Sequence, residues 1–452
     1  MDPNEIRYAV VGHPIGHTMS PFIHMRLFAL NHRRERYGVL DVPPEELEQS
    51  MDRLSRLCGC NITIPHKQAI IPYLDAVEEK AACFGSVNTV KSENGVLTGY
   101  TTDGTGFRRA LQAAGEKPEG RVVILGAGGA ARAMAFEAAL CGARITVAAR
   151  PHSLPAAQQL CKDLMGKIPG TAAGFCALDE ITDGIDLLAN ATPVGMYPRS
   201  EECPVSEEVV RSAGCVFDAV YNPNETLLLR LARKNGVKAV SGMSMLVWQA
   251  AAAQEIWYGA EFTESDIARL CGDAVLEMKK KFGNVILCGF MGCGKTTVGK
   301  IVAEKTGRAF VDMDRVIERN EGMTVAEIFA KSGEQRFREL EREAAAALGR
   351  EHGLVIAAGG GTLLNRENAA SLKGNGVVIL LDASLSAIRT RLADDTSRPL
   401  LARPDRDAAM QRLFAERIKA YRDAADTAVP ADGAPETVAE QVFSFIRPAV
   451  LP

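Results

Sequence analysis

Short apolar runs rich in β-branched residues recur along this chain, separated by stretches of helical periodicity. In the first half, Tyr8–Gly12, Cys60–Ile64, Arg121–Gly126, Arg144–Ala149, Asp186–Asn190 and Cys215–Val220 read as strands. Several of them are apolar without alternation, as strands buried on both faces are. Between them, Ser20–Leu30, the small-residue stretch Ala127–Leu140 and Met245–Tyr258 read as helices, the last with an apolar stripe. This β-α-β order predicts an α/β fold of parallel sheets joined by right-handed crossovers. At Met278–Gly283 the pattern is interrupted by a short charged join, Met-Lys-Lys-Lys-Phe-Gly. It then restarts with its own strand at Val285–Cys288, a glycine-rich loop, and a helical stretch from Thr297 to Lys305. A loose Ala/Asp/Pro stretch at Asp426–Pro435 precedes a last helix, Glu436–Ile446.

The length of 452 residues asks for two or three domains. Apolar content of 47% and charged content of 24% are ordinary for a globular protein. A net charge of -4 gives no electrostatic reason to expect nucleic acid or an acidic membrane as partner. The first ten residues carry acids and no long apolar run, so no signal peptide is expected. No stretch approaches the roughly 20 apolar residues that span a bilayer. The 11 cysteines are scattered; Cys58 and Cys60 are too close for a C-x-x-C pair, and nothing downstream completes a metal set. Free thiols in a reducing cytoplasm are the expectation.

Two phosphate-binding patterns change the picture. Gly126-Ala-Gly-Gly-Ala-Ala131 follows a strand and opens a helix. Glycines there let the backbone of Gly126, Gly128, Gly129, Ala130 and Ala131 approach a pyrophosphate at a helix N-terminus. At the end of the next strand, where an acidic residue would bind the ribose of NAD, stands Arg150, which suits the 2′-phosphate of NADP. The second pattern, Gly289 to Thr296, has the spacing G-x-x-x-x-G-K-[ST]. Backbone amides of Gly289, Gly292, Cys293 and Gly294 would cradle the phosphates of ATP. Lys295 would reach the β/γ-phosphates, Thr296 would hold Mg²⁺, and Thr297 continues into the helix.

Seven further motifs stand in order across residues 1 to about 275: Val11-Gly-His-Pro-Ile-Gly-His-Thr-Met-Ser-Pro21, Gly59-Cys-Asn-Ile-Thr-Ile-Pro-His-Lys67, Gly85-Ser-Val-Asn-Thr89, Gly99-Tyr-Thr-Thr-Asp-Gly-Thr-Gly106, Asn190-Ala-Thr-Pro-Val-Gly-Met196, Asp218-Ala-Val-Tyr221 and Gly242-Met-Ser-Met-Leu-Val-Trp-Gln249. In wording and order they resemble shikimate dehydrogenase. The resemblance implies NADPH-dependent reduction of 3-dehydroshikimate to shikimate. Lys67 would supply or relay the proton at the carbonyl oxygen, with Asp103 orienting it. It places Thr18 and Ser20 on the substrate carboxylate, and Thr63, Asn88 and Gln249 on its hydroxyls. The chain departs from the family at Thr18, where Ser is usual, and at Met25 and Thr101, where Asn is usual. Ala149-Arg-Pro151 stands for the usual Asn-Arg-Thr, which removes an amide and a hydroxyl from the 2′-phosphate site.

Behind the join, the loop at Gly289 is followed by Phe310-Val-Asp-Met-Asp-Arg-Val-Ile-Glu318, Gly333-Glu-Gln-Arg-Phe-Arg-Glu-Leu-Glu341, Gly359-Gly-Gly361, Arg398-Pro-Leu-Leu401 and Arg417-Ile-Lys-Ala-Tyr421. This run, residues 284 to about 446, resembles shikimate kinase. Guanidinium forks suit a small carboxylate, and Arg338 and Arg417 are the candidates. Asp314 would be the base or positioner of the acceptor hydroxyl, and Asp312 would order Mg²⁺ through water. Gly360 and Gly361 would let the backbone approach the acceptor. Arg398 would stabilise the transferring phosphoryl group from a lid. Arg391 resembles the residue that packs on adenine.

The expected organisation is a two-domain dehydrogenase followed by a P-loop, NMP-kinase-like α/β domain with a parallel sheet. Residues 1–103, completed by helices in 240–275, would form the α/β substrate domain. Residues 104–239 would form the Rossmann NADP domain, 276–283 a linker, and 284–452 the kinase. The expected reactions are consecutive: shikimate made in the first half is phosphorylated with Mg-ATP in the second to shikimate 3-phosphate. Two alternatives stand beside this reading: a first half that acts on quinate or with NAD, and a half that is a non-catalytic binding or regulatory module.

Overall fold

The computed structural model describes residues 6–16, 18–393 and 406–447, and its chain divides into two compact units, one over Met1–Val275 and one over Leu276–Val450. The first unit contains two sheets. One is built from β1 (Ile6–Gly12), β2 (Arg36–Asp41), β3 (Gly59–Ile62), β4 (Ala76–Val77), β5 (Thr89–Glu93) and β6 (Val96–Tyr100), in the order β2-β1-β3-β5-β6-β4. Here the expectation of a parallel sheet needs correction. β1 pairs with β2 and β3 in parallel, but β3–β5 and β5–β6 are antiparallel. The cause is local. Asn94 (φ 54°) and Gly95 (φ 82°) make a two-residue left-handed turn between Glu93 and Val96, the kind that folds a chain straight back into a hairpin.

The other sheet contains β7 (Arg121–Leu125), β8 (Arg144–Ala149), β9 (Ala173–Ala177), β10 (Ile185–Asn190), β11 (Ala213–Asp218) and β12 (Lys238–Ser241). Its order is β12-β11-β10-β7-β8-β9, parallel throughout. This is the doubly wound dinucleotide-binding topology. Strand order reverses between β7 and β10, so the loops leaving those two strands flank the crevice where such sheets take their ligands. The helix Gly242–Tyr258 returns to pack along Asp103–Ala113. Glycine permits the close approach: a Cβ on Gly106 would stand 2.7 Å from the Met245 carbonyl oxygen and 2.9 Å from Gln249 Cβ.

In the second unit, β13 (Asn284–Cys288), β14 (Ala309–Asp312), β15 (Leu354–Ala357), β16 (Gly376–Asp382) and β17 (Thr427–Pro430) form a parallel sheet ordered β14-β15-β13-β16-β17. Its centre is apolar on both faces. Val285, Ile286 and Leu287 lie against Val377, Val378 and Ile379 in one buried cluster. β17 falls inside the stretch expected to be loose. The Asp426 carboxylate accepts from Val378 N (2.8 Å), which seats Thr427–Pro430 on the sheet edge despite its turn-like composition.

The segment expected as a linker is helical. Glu264–Phe282 is one helix, and within the second unit its end is bonded into place. Lys279 Nζ donates to Lys373 O (2.6 Å), and Arg308 Nη2 donates to Lys280 O (2.7 Å) and Lys281 O (3.3 Å), satisfying carbonyls that a helix terminus leaves open. The charged run expected as a join is the end of this helix, its last carbonyls held by Arg308.

Candidate active sites

In the first unit, β3 ends at Ile62, and the turn Thr63-Ile64-Pro65 leads into the short helix His66–Ala69, which carries Lys67. Lys67 Nζ donates to Asp103 Oδ2 at 2.5 Å. Asp103 is the first residue of the helix Asp103–Ala113, where the helix dipole favours a carboxylate. Its other oxygen accepts from Asn88 Nδ2 (2.8 Å). Asn88, expected to read a substrate hydroxyl, also donates to Thr102 Oγ1 (3.0 Å) and accepts from Thr102 N (2.7 Å). Both of its amide hydrogens are spent inward, and it stands as a brace for Asp103. Thr18 Oγ1 donates to Ser20 Oγ (3.0 Å), a separate pair at the start of the helix Ser20–Leu30. Thr63 abuts Gly12 so closely that a Cβ there would lie 2.4 Å from Thr63 Cγ2. Thr101, at a position where the family uses Asn, is buried with no hydrogen-bond partner for its hydroxyl.

A cleft of about 430 Å³ runs from Lys67 to the dinucleotide loop; Lys67, Ser86, Gly128, Gly129, Arg132 and Gln159 are among its walls. Gly126 needs its freedom for φ (+101°) and for Thr192, whose Cγ2 a Cβ would approach to 2.8 Å. Gly128 and Gly129 differ. A Cβ on either would meet no protein atom within 4 Å. Both face the cleft, so a ligand's close approach, not protein crowding, accounts for them. Gly128 caps the helix Gly129–Leu140, with Ala130 in its first turn and Ala131 buried on its inner side, where the usual third glycine would pack. Arg150 is exposed just past the end of β8; its carbonyl accepts from Ser153 N (2.8 Å), while its guanidinium makes no hydrogen bond or ion pair among the described residues.

In the second unit the loop after β13 uses positive φ at Gly289 (137°), Gly292 (77°) and Gly294 (102°). The helix Lys295–Thr306 begins directly behind it and includes Thr296 and Thr297. Lys295 Nζ reaches back to Gly289 O (2.9 Å) and Phe290 O (3.2 Å), and Cys293 is buried inside the loop. Thr296 Oγ1 donates to Asp312 Oδ2 (2.9 Å) at the end of β14, so two hard oxygen donors meet beside the loop, the ligand type Mg²⁺ prefers. Two residues on is Asp314. Its pKa is raised to about 6 by burial first, then by the carboxylates of Asp312 and Glu341, against the pull of Lys295. No hydrogen-bond donor reaches that carboxylate among the described residues.

Around Asp314 the sequence-expected residues are present and already engaged. Arg338 donates to the buried Glu341 (2.5 Å) and to Glu334 (2.9 Å). Arg417 Nη1 donates to Gly360 O (3.3 Å), and Gly361 lies so close to Arg338 that a Cβ would stand 2.3 Å from Nη1. Arg391, expected against adenine, donates to the Ala431 (2.8 Å), Asp432 (3.1 Å) and Gly433 (3.2 Å) carbonyls and to Cys293 O (3.4 Å). Arg398 lies outside the described residues.

Sequence reasoning assigned no part to Glu341 or Thr102. Glu341 stands one helical turn after Arg338, the spacing that brings two side chains of a helix together. It also accepts from Thr362 Oγ1 (2.7 Å), tying the Gly359–Gly361 turn to Arg338. Thr102 had no signal beyond its place before Asp103.

Comparison with known proteins agrees with both halves. Residues 10–90 match the family model of the shikimate dehydrogenase substrate binding domain, and residues 291–447 match the shikimate kinase model. The NADP(+)-dependent shikimate dehydrogenase of Caldanaerobacter subterraneus subsp. tengcongensis is 43% identical over 264 residues, 57% of this chain and 93% of that protein. Among solved structures, the Thermus thermophilus shikimate 5-dehydrogenase in complex with NADP(H) and shikimate has a TM-score of 0.54 at 34% identity. It covers 60% of this chain and 100% of its own. A chorismate mutase/shikimate 5-dehydrogenase fusion protein from Clostridium acetobutylicum has a TM-score of 0.55 at 33% identity, covering 62% of this chain and 100% of its own.

Proposed function

We propose how two reactions are distributed over the residues of this chain, which belongs to the shikimate dehydrogenase family and carries a shikimate kinase domain behind it. It is a bifunctional enzyme of the shikimate pathway, an NADP-dependent oxidoreductase and an ATP phosphotransferase. In the first, NADPH supplies the hydride to the carbonyl carbon of 3-dehydroshikimate. Lys67 delivers the proton to the oxygen, and Asp103, braced by Asn88 and Thr102, holds the ammonium in place. The Gly126–Ala131 loop takes the pyrophosphate, and the unpartnered Arg150 takes the 2′-phosphate. Thr18, Ser20, Thr63 and Gln249 line the substrate's carboxylate and hydroxyls.

In the second reaction the substrate hydroxyl oxygen attacks the γ-phosphorus of ATP, ADP leaves, and Asp314 receives the hydroxyl proton. Lys295 and the loop amides hold the phosphates. Thr296, with Asp312 through water, would hold the Mg²⁺ that neutralises them. Arg338 and Arg417 bind the carboxylate beside Gly360 and Gly361, and Arg398 closes over the phosphoryl group. Arg391 borders the adenine end. The 11 cysteines are all unpaired, which supports work in the cytoplasm. No helix among the described residues is long and apolar enough to cross a membrane.

The observation that carries the reading is Lys67, paired with Asp103 at 2.5 Å, lining the same cleft as Gly128 and Gly129. One coupled assay tests it. With 3-dehydroshikimate, NADPH, Mg²⁺ and ATP supplied, shikimate 3-phosphate is the expected product. Shikimate accumulating unphosphorylated would mean a kinase half that only binds. Faster turnover with quinate or NADH would move the first half to the alternative substrate, a reading motivated by the altered Ala149-Arg-Pro151 triplet.

A further inference from the structure

Two sequence motifs, Asn190–Met196 and Asp218–Tyr221, have no part in the chemistry above. The structure joins them. Asn190 ends β10 and Asp218 ends β11 at paired positions, and both side chains, with that of Thr226, are completely buried. Asp218 Oδ1 accepts from Asn190 Nδ2 (2.9 Å) and Val220 N (3.0 Å), and Oδ2 accepts from Thr226 Oγ1 (2.6 Å). Asn190 Oδ1 in turn accepts from Thr192 N (3.0 Å) and Thr192 Oγ1 (2.7 Å). Its amide also donates to Val194 O (3.3 Å), and Val194 N donates to Thr192 Oγ1 (3.2 Å). The whole turn after β10 is therefore shaped by one asparagine, and that asparagine is aimed by one aspartate.

The turn's position gives it meaning. It leaves β10 beside β7, at the point where strand order reverses, and Thr192 Cγ2 is the atom that a Cβ on Gly126 would strike. Ala191 N also donates to Leu125 O (3.0 Å), pinning the turn to the strand that carries the dinucleotide loop. On its other side the main chain leaving β11 lies against the start of the helix of Gln249: a Cβ on Gly242 would lie 2.3 Å from the Ala219 carbonyl oxygen and 2.9 Å from that of Asp218. A fully buried polar triad is a costly way to fill a core, since apolar residues of similar size often serve stability as well or better. What such a network supplies instead is one fixed geometry. Burial also pushes the Asp218 carboxyl up to about 6, against three donors that favour its charge.

We propose that Asp218 is a positioning residue for hydride transfer: through Asn190 it fixes the Ala191–Met196 turn as the second wall of the cofactor crevice, opposite Gly126. It touches neither cofactor nor substrate. It acts by holding that turn in register against the dinucleotide loop, where a misplacement of about 1 Å can cost on the order of 10² in rate. The inference rests on the reading of Gly126–Gly129 as the NADP site.

The test uses the whole chain, so that the kinase half reports on folding and enzyme concentration. Asp218→Ala is expected to raise the KM for NADPH and to lower dehydrogenase kcat by roughly 10–10²-fold, with the KM for 3-dehydroshikimate within about twofold and kinase turnover unchanged. Asp218→Asn keeps a carbonyl acceptor for Asn190 and Val220 and should recover to within about threefold of the unaltered enzyme. Thr192→Val, at a half-buried position, removes the hydroxyl that bonds Asn190 and Val194 and should reproduce part of the loss. An Asp218→Asn enzyme as impaired as Asp218→Ala would overturn the proposal, because the charge and not the hydrogen-bond geometry would then matter. So would a Thr192→Val enzyme with unchanged NADPH kinetics. Direct NADPH titration of Gly128→Asp separates the underlying reading: binding that survives this change removes the cofactor site itself from the Gly126 loop.

Discussion

Two carboxylates in this chain, one in each unit, are raised to about 6 by burial, yet their surroundings are opposite. Asp218 is fully buried and receives three hydrogen bonds, from Thr226, Val220 and Asn190, with donors on both oxygens. Asp314 receives none among the described residues and faces two further carboxylates, Asp312 and Glu341. A raised pKa therefore does not by itself mark a base. The donor inventory does: a buried carboxylate with protein donors on both oxygens holds structure, and one left bare waits for a substrate proton. Asp103 is a third arrangement, its proton-bearing partner Lys67 already 2.5 Å away.

The sharpest way to break this comparison is to exchange function for alanine on each side. Asp314→Ala should abolish phosphoryl transfer, a loss of roughly 10³-fold or more, while hydride transfer continues and ATP still binds. Lys67→Ala should cut dehydrogenase kcat by roughly 10²–10⁴-fold and leave the kinase untouched. Measured on one preparation, the two activities are each other's control. A dehydrogenase rate that changed less than about threefold on loss of Lys67 would return that pair to the surface ion pairs.

A smaller effect is expected at Arg150. Only NADPH carries a 2′-phosphate, so Arg150→Ala should raise the KM for NADPH about tenfold more than that for NADH. Equal changes with both cofactors would leave Arg150 a solvent-facing residue at a strand end.

The contrast between Asp218 and Asp314 can also be sharpened by stability. A carboxyl raised in the folded state holds its proton more tightly there than in the unfolded chain. The stability this contributes is present below about pH 4 and is lost as pH rises through about 6. Asp218→Asn has no proton to lose. Melting of the first unit should therefore shift in the variant's favour between pH 4.5 and 6.5, by on the order of 2 kcal/mol. A difference that is flat across that range would show Asp218 titrating at an ordinary carboxylate value.

Much of this was legible in the sequence, for identifiable reasons. Strands such as Val285–Cys288 and the Val122–Leu125 part of β7 are apolar throughout because both faces are covered, and both glycine-rich stretches stand between a strand and a helix as their spacing implied. The parallel reading of the first sheet failed at Asn94-Gly95, a two-residue turn of the strongest hairpin type that stood in plain view. Roles that depend on distant partners were not legible. That Asn88 spends its amide on Asp103, or Arg391 its guanidinium on the Ala431–Gly433 carbonyls, follows from elements 15 and 40 residues apart in sequence. No periodicity encodes such pairings.

The lysine run at the end of the helix Glu264–Phe282 is the last place where reading and structure part, and it sets the smallest prediction. As a linker, 276–283 could be discarded. In the second unit, however, Leu276 packs against the apolar core, Lys280 Nζ lies 4.0 Å above the Phe445 ring, and Lys279 Nζ donates to Lys373 O. Cutting at Asn284 would also strip Arg308 of the two carbonyls its guanidinium holds, leaving a half-buried charge whose pKa burial already lowers. Losing a hydrogen-bonded partner to a buried charge costs more than the bond itself contributes. Residues 276–452 should therefore form a kinase that melts higher than residues 284–452, by about 1–2 kcal/mol, or roughly 3–6 °C for a unit of this size. Arg308→Ala in the longer fragment should remove about half of that advantage. Equal melting of the two fragments would mean that the helix end belongs to the join after all, and the boundary of the kinase would fall at its first strand.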